Sequence, residues 1–177
     1  MRPAAPLHPR ALRRIVVVIV VMGVSGSGKT TVGRELARLL GADFMEGDDF
    51  HPPANVAKMK AGVPLDDRDR RPWLVALRAA VEARSAGGGD VVVACSALKQ
   101  AYREALGIDG GNVRLVYLKG DGELIRGRLE KRQDHFMPTG LLESQLAALE
   151  EPSAAVSVGI EGTPQAIAAE IQRRLNG

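Results

Sequence analysis

The segment from residue 23 to residue 30 constrains the fold of this chain more than any other. It reads Gly-Val-Ser-Gly-Ser-Gly-Lys-Thr and matches the pattern G-x-x-x-x-G-K-S/T, a loop whose backbone N–H groups surround a phosphate. An apolar and mostly β-branched run, Ile15 to Met22, comes directly before it and predicts a buried strand. An amphipathic helical pattern follows and stops at Gly41. A strand, a glycine-rich loop and a helix in this order predict a phosphate-binding site.

The residue types in this loop suit the phosphates of a nucleotide. Gly23 and Gly28 allow backbone torsions closed to other residues, so that successive N–H groups can form an anion-binding nest. The following helix adds its N-terminal donors and the positive end of its dipole. Lys29 supplies a mobile charge for the β- and γ-phosphates, and the Thr30 hydroxyl is predicted to bind Mg²⁺. The predicted ATP-binding residues of this segment are Gly23, Val24, Ser25, Gly26, Ser27, Gly28, Lys29, Thr30 and Thr31.

The composition limits the kind of partner. The chain has 177 residues, enough for one domain with a buried core, and a net charge of +3. Its basic residues form no block and its aromatic content is only 3%, so no nucleic-acid partner is expected. The run Ile15 to Met22 is too short to span a bilayer, so no membrane partner is expected either. The single Cys95 cannot form an intrachain disulfide, which fits the cytoplasm. Residues 1–10 are predicted to be a disordered tail, and residues 11–177 a single domain.

Strand-like and helix-like patterns alternate along the chain. After the first strand, further strands are predicted at 44–46, 91–95, 113–118 and 154–158, and helices at 72–83, 98–106, 124–133 and 164–175. Thr163 and Pro164 suit the start of the last helix. This alternation predicts an α/β fold with a parallel sheet covered by helices on both faces. Ligands of such folds bind at the carboxyl ends of the strands.

Two carboxylates, Glu46 and Asp48, follow the second predicted strand. Their spacing of two allows both to leave the strand end on the same side. One can hold a metal-bound water and the other can meet a substrate hydroxyl, two roles that phosphoryl transfer requires. A solvated turn is the alternative for either residue.

The residues after this pair predict a polar helical face. His51, Asn55 and Lys58 are spaced so that they share one side of a helix whose opening turn contains Pro52 and Pro53. An imidazole, an amide and an ammonium group on one face could bind a polyhydroxy acid. A merely solvated polar face is the alternative.

Four strings give the chain a family resemblance. They are G-D-D-F-H-P-P-A-N-V-A-K-M at 47–59, G-V-P-L-D-D-R-D-R-R-P-W-L at 62–74, C-S-A-L-K at 95–99 with Tyr102 and Arg103, and H-F-M-P at 135–138. With them the chain, from about residue 20 to its end, resembles the P-loop gluconokinases of bacteria and eukaryotes. Related sugar-acid and shikimate kinases often carry Asp-x-Asp after the second strand, where this chain has Glu46-x-Asp48.

The resemblance implies an activity and a fold. The activity is transfer of the ATP γ-phosphate to the 6-hydroxyl of D-gluconate, with Mg²⁺ as cofactor, and Thr30 and Glu46 are the predicted metal residues. The fold is the three-layer P-loop fold of nucleoside-monophosphate and shikimate kinases. It has a five-stranded parallel sheet of order 2-3-1-4-5 and a helical lid, here at about 124–145. A homodimer is common in the family.

The same resemblance extends the predicted acceptor site. Ser96, Lys99 and Arg103 follow the third strand, and the spacing of the last two would let both face one anion. Arg103 is predicted to bind the gluconate carboxylate, because a guanidinium fork suits it bidentately. The predicted substrate-binding residues are Asp48, His51, Asn55, Lys58, Ser96, Lys99, Arg103 and His135.

Three further residues resemble the lid of small-molecule kinases. Arg128, Arg132 and His135 are spaced four and three apart in the 124–133 helical pattern and its continuation. In such lids one guanidinium covers the adenine and another points at the phosphates, so Arg128 is also predicted to bind ATP. The predicted catalytic residues are Lys29, Asp48, Arg128 and Arg132.

Other functions fit parts of the sequence. One is a kinase for another small polyol acid such as shikimate, or for a nucleoside monophosphate. A second is a nucleotide-dependent switch or motor, but the guanine-binding string Asn-Lys-x-Asp is absent and the strand at 91–95 ends without an acid. A third is a basic RNA-binding module, which predicts salt-sensitive RNA affinity that survives loss of Lys29.

Overall fold

A five-stranded, all-parallel sheet lies at the centre of the computed structural model, which describes residues 17–108, 111–131 and 139–176. The predicted tail at residues 1–10 lies outside these ranges. The strands are β1 (Val18–Met22), β2 (Asp43–Glu46), β3 (Val91–Ala94), β4 (Val113–Lys119) and β5 (Val156–Gly159). Their order across the sheet is β2-β3-β1-β4-β5, which confirms the predicted order.

Helices cover both faces of this sheet. They are α1 (Lys29–Leu40), α2 (Pro53–Lys60), α3 (Asp67–Ala86), α4 (Gln100–Ala105), α5 (Gly122–Glu130), α6 (Thr139–Ala148) and α7 (Pro164–Asn176), with a 3-10 turn at Gly47–Phe50. None of these helices combines the length and the apolar character needed to cross a membrane.

The side chains of β1 divide the core into two layers. Ile19 and Val21 pack with α1 and α7 on one face, whereas Val18, Val20 and Met22 pack with α3 and α4 on the other. Because successive strand residues point to opposite faces, a strand buried on both sides must be apolar at every position. The predicted three-layer architecture is therefore confirmed.

Several predicted boundaries were wrong. α3 begins at Asp67 and not at Pro72, because Asp66 and Asp69 form a capping box: each side chain accepts a hydrogen bond from the other's backbone N–H, at 2.8 and 3.0 Å. α5 ends at Glu130, three residues before the predicted end. His51 lies before α2 with an extended backbone, as expected of a residue that precedes a proline.

Candidate active site

The glycine-rich loop joins the carboxyl end of β1 to the start of α1, as predicted. Gly23 and Gly28 both adopt positive φ, 153° and 95°. A Cβ atom at Gly23 would lie 2.7 Å from the Ser27 Oγ, which is buried and has no hydrogen-bond partner among the described residues. The Lys29 Nζ donates a hydrogen bond to the Val24 carbonyl at 3.0 Å, so the ammonium folds back over the loop. The loop thus has the backbone shape that an anion-binding nest requires.

A residue that the sequence did not single out also contacts the loop. The backbone N–H of Ser25 donates to the Gln145 Oε1 at 2.7 Å, and the Gln145 Nε2 donates to the Ser25 Oγ at 3.0 Å. Gln145 belongs to α6. No local pattern could have predicted this contact, because the two residues lie 120 positions apart.

The predicted metal residues lie together beside the loop. The Thr30 Oγ1 donates to the Glu46 Oε2 at 2.6 Å. Burial raises the pKa of the Glu46 carboxyl, the Thr30 hydrogen bond opposes this rise and the charge of Asp48 adds to it. Among the described residues, no group of three or more His, Cys, Asp or Glu side chains is placed so that it could hold a metal ion. A hydroxyl and one carboxylate still fit Mg²⁺, which commonly takes its other ligands from phosphates and water.

Asp48 stands next to this pair and is open to solvent, with 66% of its side chain exposed. It lies in the 3-10 turn after β2. The buried Trp73 of α3 fixes this turn, because its Nε1 donates to the Gly47 carbonyl at 2.7 Å. The ring of Trp73 also stacks on the His51 imidazole, with centroids 4.2 Å apart. One tryptophan therefore positions the residues on both sides of Asp48.

His51 is held as a neutral ring with a defined tautomer. The buried Asn55 Nδ2 donates to the Asp69 carbonyl at 2.7 Å and lies 3.2 Å from the His51 Nδ1. An amide nitrogen only donates, so Nδ1 accepts and the proton resides on Nε2, which lies 4.0 Å from the Asp48 Oδ1. Burial lowers the pKa of His51; Asp48 opposes this shift and the charge of Arg70 adds to it. A neutral N–H donor therefore faces the Asp48 carboxylate.

Two predicted substrate-binding lysines already have carboxylate partners. The Lys58 Nζ lies 2.7 Å from the Asp69 Oδ1, and the Lys99 Nζ lies 2.9 Å from the Asp67 Oδ1. Both pairs are at least partly exposed, so a polar ligand can still approach the ammonium groups. Ser96, in the loop after β3, is half-buried.

The geometry does not support the predicted role of Arg103. Its side chain is buried, with 3% of the residue exposed, and its Nη1 donates to the Ala97 and Leu98 carbonyls at 2.9 and 3.1 Å. Its remaining hydrogen bonds go to the Gln100 side chain. Arg103 and Lys99 therefore do not face a common anion. The guanidinium instead holds the loop in which Ala97 adopts a positive φ of 44°.

Of the three residues predicted to act in the lid, Arg128, Arg132 and His135, the structure describes Arg128. Its Nη2 donates a hydrogen bond to the Ile160 carbonyl, just after β5. A pocket of about 570 Å³ lies at the carboxyl ends of β4 and β5, between Lys119 and Glu161. Arg132 and His135 lie outside the described residues.

A second pocket, of about 450 Å³, lies between the start of α3 and the residues around α4 and α6. Its polar lining includes Asp67, Arg70, Lys99 and Tyr102, and the Tyr102 hydroxyl donates to the Asp67 carboxylate. Asp67 and Arg70 were not predicted as site residues. Both lie in the 62–74 string that carried the resemblance, but a run of alternating charges does not reveal which of its members face a pocket.

The parallel sheet, the glycine-rich loop at its central strand and the adjoining hydroxyl–carboxylate pair define a P-loop phosphotransferase.

Residues 18–152 match a family model described as an AAA domain. A probable gluconokinase of Rattus norvegicus is 44% identical over 88% of this chain and 96% of its own. The gluconokinase of Gluconobacter oxydans (strain 621H) is 49% identical over 76% of this chain and 75% of its own. The crystal structure of a gluconokinase from Sinorhizobium meliloti 1021 has a TM-score of 0.77 and 42% identity, covering 93% of this chain and 98% of that one. The chain belongs to the gluconokinase family.

Proposed function

We propose that this protein transfers the γ-phosphate of ATP to the 6-hydroxyl of D-gluconate, giving 6-phospho-D-gluconate and ADP. The observation that carries the proposal is the position of Asp48 in a chain of this family. Its exposed carboxylate stands beside the Thr30–Glu46 pair and faces the N–H of a neutral His51. This arrangement can hold an alcohol next to a bound terminal phosphate.

The glycine-rich loop binds the triphosphate of ATP in this proposal. Its inward N–H groups and the start of α1 meet the phosphate oxygens, and Lys29 exchanges its bond to the Val24 carbonyl for the β- and γ-phosphates. Thr30 and Glu46 would hold Mg²⁺, which neutralises phosphate charge when it is bound. The pocket at the ends of β4 and β5, with Arg128 beside it, accepts the adenine.

Asp48 orients the acceptor hydroxyl and takes its proton as the new O–P bond forms. The carboxylate needs a fixed direction for this, because transfer through a loose, in-line transition state depends mainly on positioning and charge. The N–H of His51 supplies that direction, and Asn55 keeps the proton on the correct ring nitrogen. Lys58, Ser96 and Lys99 are proposed to bind further oxygen atoms of the acid.

We propose three further properties of the protein. Arg132 and His135 are proposed to close over the bound substrates as part of the lid, and this rests on the resemblance alone. A homodimer is proposed on the same ground and can be checked by sedimentation equilibrium. A cytoplasmic location is proposed because the only cysteine, Cys95, is free and buried, as in proteins that do not depend on disulfides.

A coupled ADP-release assay tests the function directly. Purified protein with ATP and Mg²⁺ is offered D-gluconate, shikimate or AMP, and the product is identified by ³¹P NMR. We expect ADP release with D-gluconate and a phosphate ester at carbon 6. Turnover with shikimate or AMP and none with D-gluconate would contradict the proposal in favour of another acceptor. ATP-independent RNA binding without any turnover would contradict kinase activity altogether.

A further inference from the structure

We propose that Arg70, in the first turn and a half of α3, binds the carboxylate of the sugar acid and makes the site select acids over neutral polyols. This inference rests on the proposed function, because it assigns the part of the site that recognises the charged end of the acceptor. It replaces the role that the sequence suggested for Arg103.

The first observation is a guanidinium without an anion. The Nε of Arg70 is buried and has no hydrogen-bond partner among the described residues, and no acidic side chain there forms an ion pair with Arg70. Buried polar groups are almost always hydrogen-bonded, and a guanidinium N–H loses its hydration without compensation when it is not. The exception calls for a partner that the chain itself does not supply.

The acidic residues around Arg70 are engaged elsewhere. Asp67 accepts from the Tyr102 hydroxyl and pairs with Lys99, and Asp69 pairs with Lys58 and accepts from the backbone of Asp66. The neighbouring carboxylates thus form their direct ion pairs with the two lysines, whereas Arg70 acts on Asp67 only through its charge, which helps to lower the pKa of that carboxyl. Of the cations predicted to meet the acid, Lys58 and Lys99 have carboxylate partners and Arg103 is bonded to carbonyls.

The second observation is that Arg70 is oriented in advance. Its guanidinium lies over the Tyr102 ring, 5.4 Å from the centroid, and the Tyr102 hydroxyl is itself bonded to Asp67. A cation–π contact with an aromatic face restricts the guanidinium, which lowers the entropy lost when a carboxylate binds bidentately. Lysine cannot provide this geometry, since its charge is a single point.

The third observation is location. Arg70 and Lys99 line the pocket of about 450 Å³, which is large enough for a six-carbon acid. The same part of α3 adjoins the reacting end of the site, because Trp73, three residues after Arg70, stacks on His51, which faces Asp48. In this proposal the reacting hydroxyl of the acceptor lies at Asp48 and its carboxylate end lies in the pocket lined by Arg70.

Two variants and a neutral acceptor test the inference. Arg70→Ala and Arg70→Lys are compared with the wild type for D-gluconate and for D-glucitol, which has a CH₂OH group where gluconate has the carboxylate. Gluconate affinity is measured by calorimetry and by KM. A charge-assisted bidentate contact corresponds to roughly 10- to 100-fold in affinity. Arg70→Ala should therefore lower the affinity for D-gluconate by about that factor. The KM of ATP and the weak affinity for D-glucitol should stay unchanged. The affinity of Arg70→Lys for D-gluconate should lie between those of the wild type and Arg70→Ala.

Matched controls separate binding from folding. Arg71→Ala changes the next residue of α3, which does not line this pocket, and should match the wild type. If Arg70→Ala does not fold, Arg70→Lys decides by the same ratio of gluconate to glucitol affinity. Wild-type gluconate affinity in a folded Arg70 variant, or equal losses for gluconate and glucitol, would overturn the inference. If the wild-type protein phosphorylates another acid and not gluconate, the proposed function is refuted but the inference about Arg70 is not. The Arg70 variants are then tested with that acid, for which Arg70 should be required.

Discussion

Trp73→Phe is the substitution that most directly tests how the site is positioned. The tryptophan is 1% exposed, donates to the Gly47 carbonyl at 2.7 Å and stacks on His51. Phenylalanine keeps an aromatic ring but has no N–H group and a smaller volume. The buried Gly47 carbonyl then loses its side-chain donor, just before Asp48.

The cost can be worked from these contacts. A buried group left without its partner costs about 1–3 kcal/mol, and the smaller ring adds about 1 kcal/mol for lost packing. The free energy of unfolding should therefore fall by about 2–4 kcal/mol. For a domain of this size each kcal/mol lowers the melting temperature by about 2–4 °C, so a drop of about 4–16 °C is expected. Looser positioning of Asp48 should also reduce kcat/KM about tenfold, equivalent to about 1.4 kcal/mol of transition-state stabilisation.

Urea unfolding, differential scanning calorimetry and the ADP-release assay measure these effects. Tyr117→Phe is the matched control, since Tyr117 is also a buried aromatic on the same side of the sheet. Its hydroxyl makes only a 3.4 Å hydrogen bond to Glu151, so its removal should cost less than about 1 kcal/mol and leave turnover unchanged. A Trp73→Phe variant that melts within about 1 °C of the wild type would refute the reasoning.

Lys29→Ala should lower kcat about 100-fold or more with an unchanged circular dichroism spectrum, because the phosphate charge loses its mobile cation; near-native turnover would contradict this. Asp48→Asn should lower kcat more than it raises the KM of the acceptor, and a pure KM effect in steady-state kinetics would assign Asp48 to binding only. Glu46→Gln should raise the Mg²⁺ concentration needed for half-maximal rate, which a magnesium titration measures. The folded-state pKa of His51 is below its unfolded value, so the unfolded chain takes up the proton first as pH falls below about 6.5. The free energy of unfolding of the wild type should therefore fall between pH 7 and pH 5. In urea titrations at these two pH values, the fall should be smaller for His51→Gln.

The parts of the fold that depend on local pattern were predictable from the sequence. The apolar run of β1 and the glycines that follow it fix strand, loop and helix within one continuous segment. The start of α7 was equally local, since the Ala166 N–H donates to the Thr163 Oγ1 at 3.2 Å and Pro164 opens the helix. The start of α3 was missed because the helical pattern was predicted to begin at Pro72. The capping box of Asp66 and Asp69 sets the start five residues earlier, at Asp67, and the proline lies inside the helix.

The site was predictable where its residues adjoin the motif and not where they depend on distant partners. Thr30 and Glu46 meet because parallel strands place their carboxyl ends at one edge of the sheet. The partners of Lys58 and Lys99 come from α3, and periodicity along one helix cannot say which acid of another helix it will meet. The hydrogen bonds that Nη1 of Arg103 donates were hidden for the same reason, since their acceptors are backbone carbonyls that carry no sequence signal.

The Gln145 side chain has a consequence for how tightly a phosphate can bind at the loop. Its carboxamide occupies the Ser25 N–H, one of the donors that an incoming phosphate oxygen would use. A phosphate oxygen that accepts from this N–H must displace the carboxamide of Gln145. Losing this contact offsets about 0.5–1.5 kcal/mol per hydrogen bond of what the phosphate gains at the loop, so a side chain far along the chain lowers the affinity of the loop for phosphate.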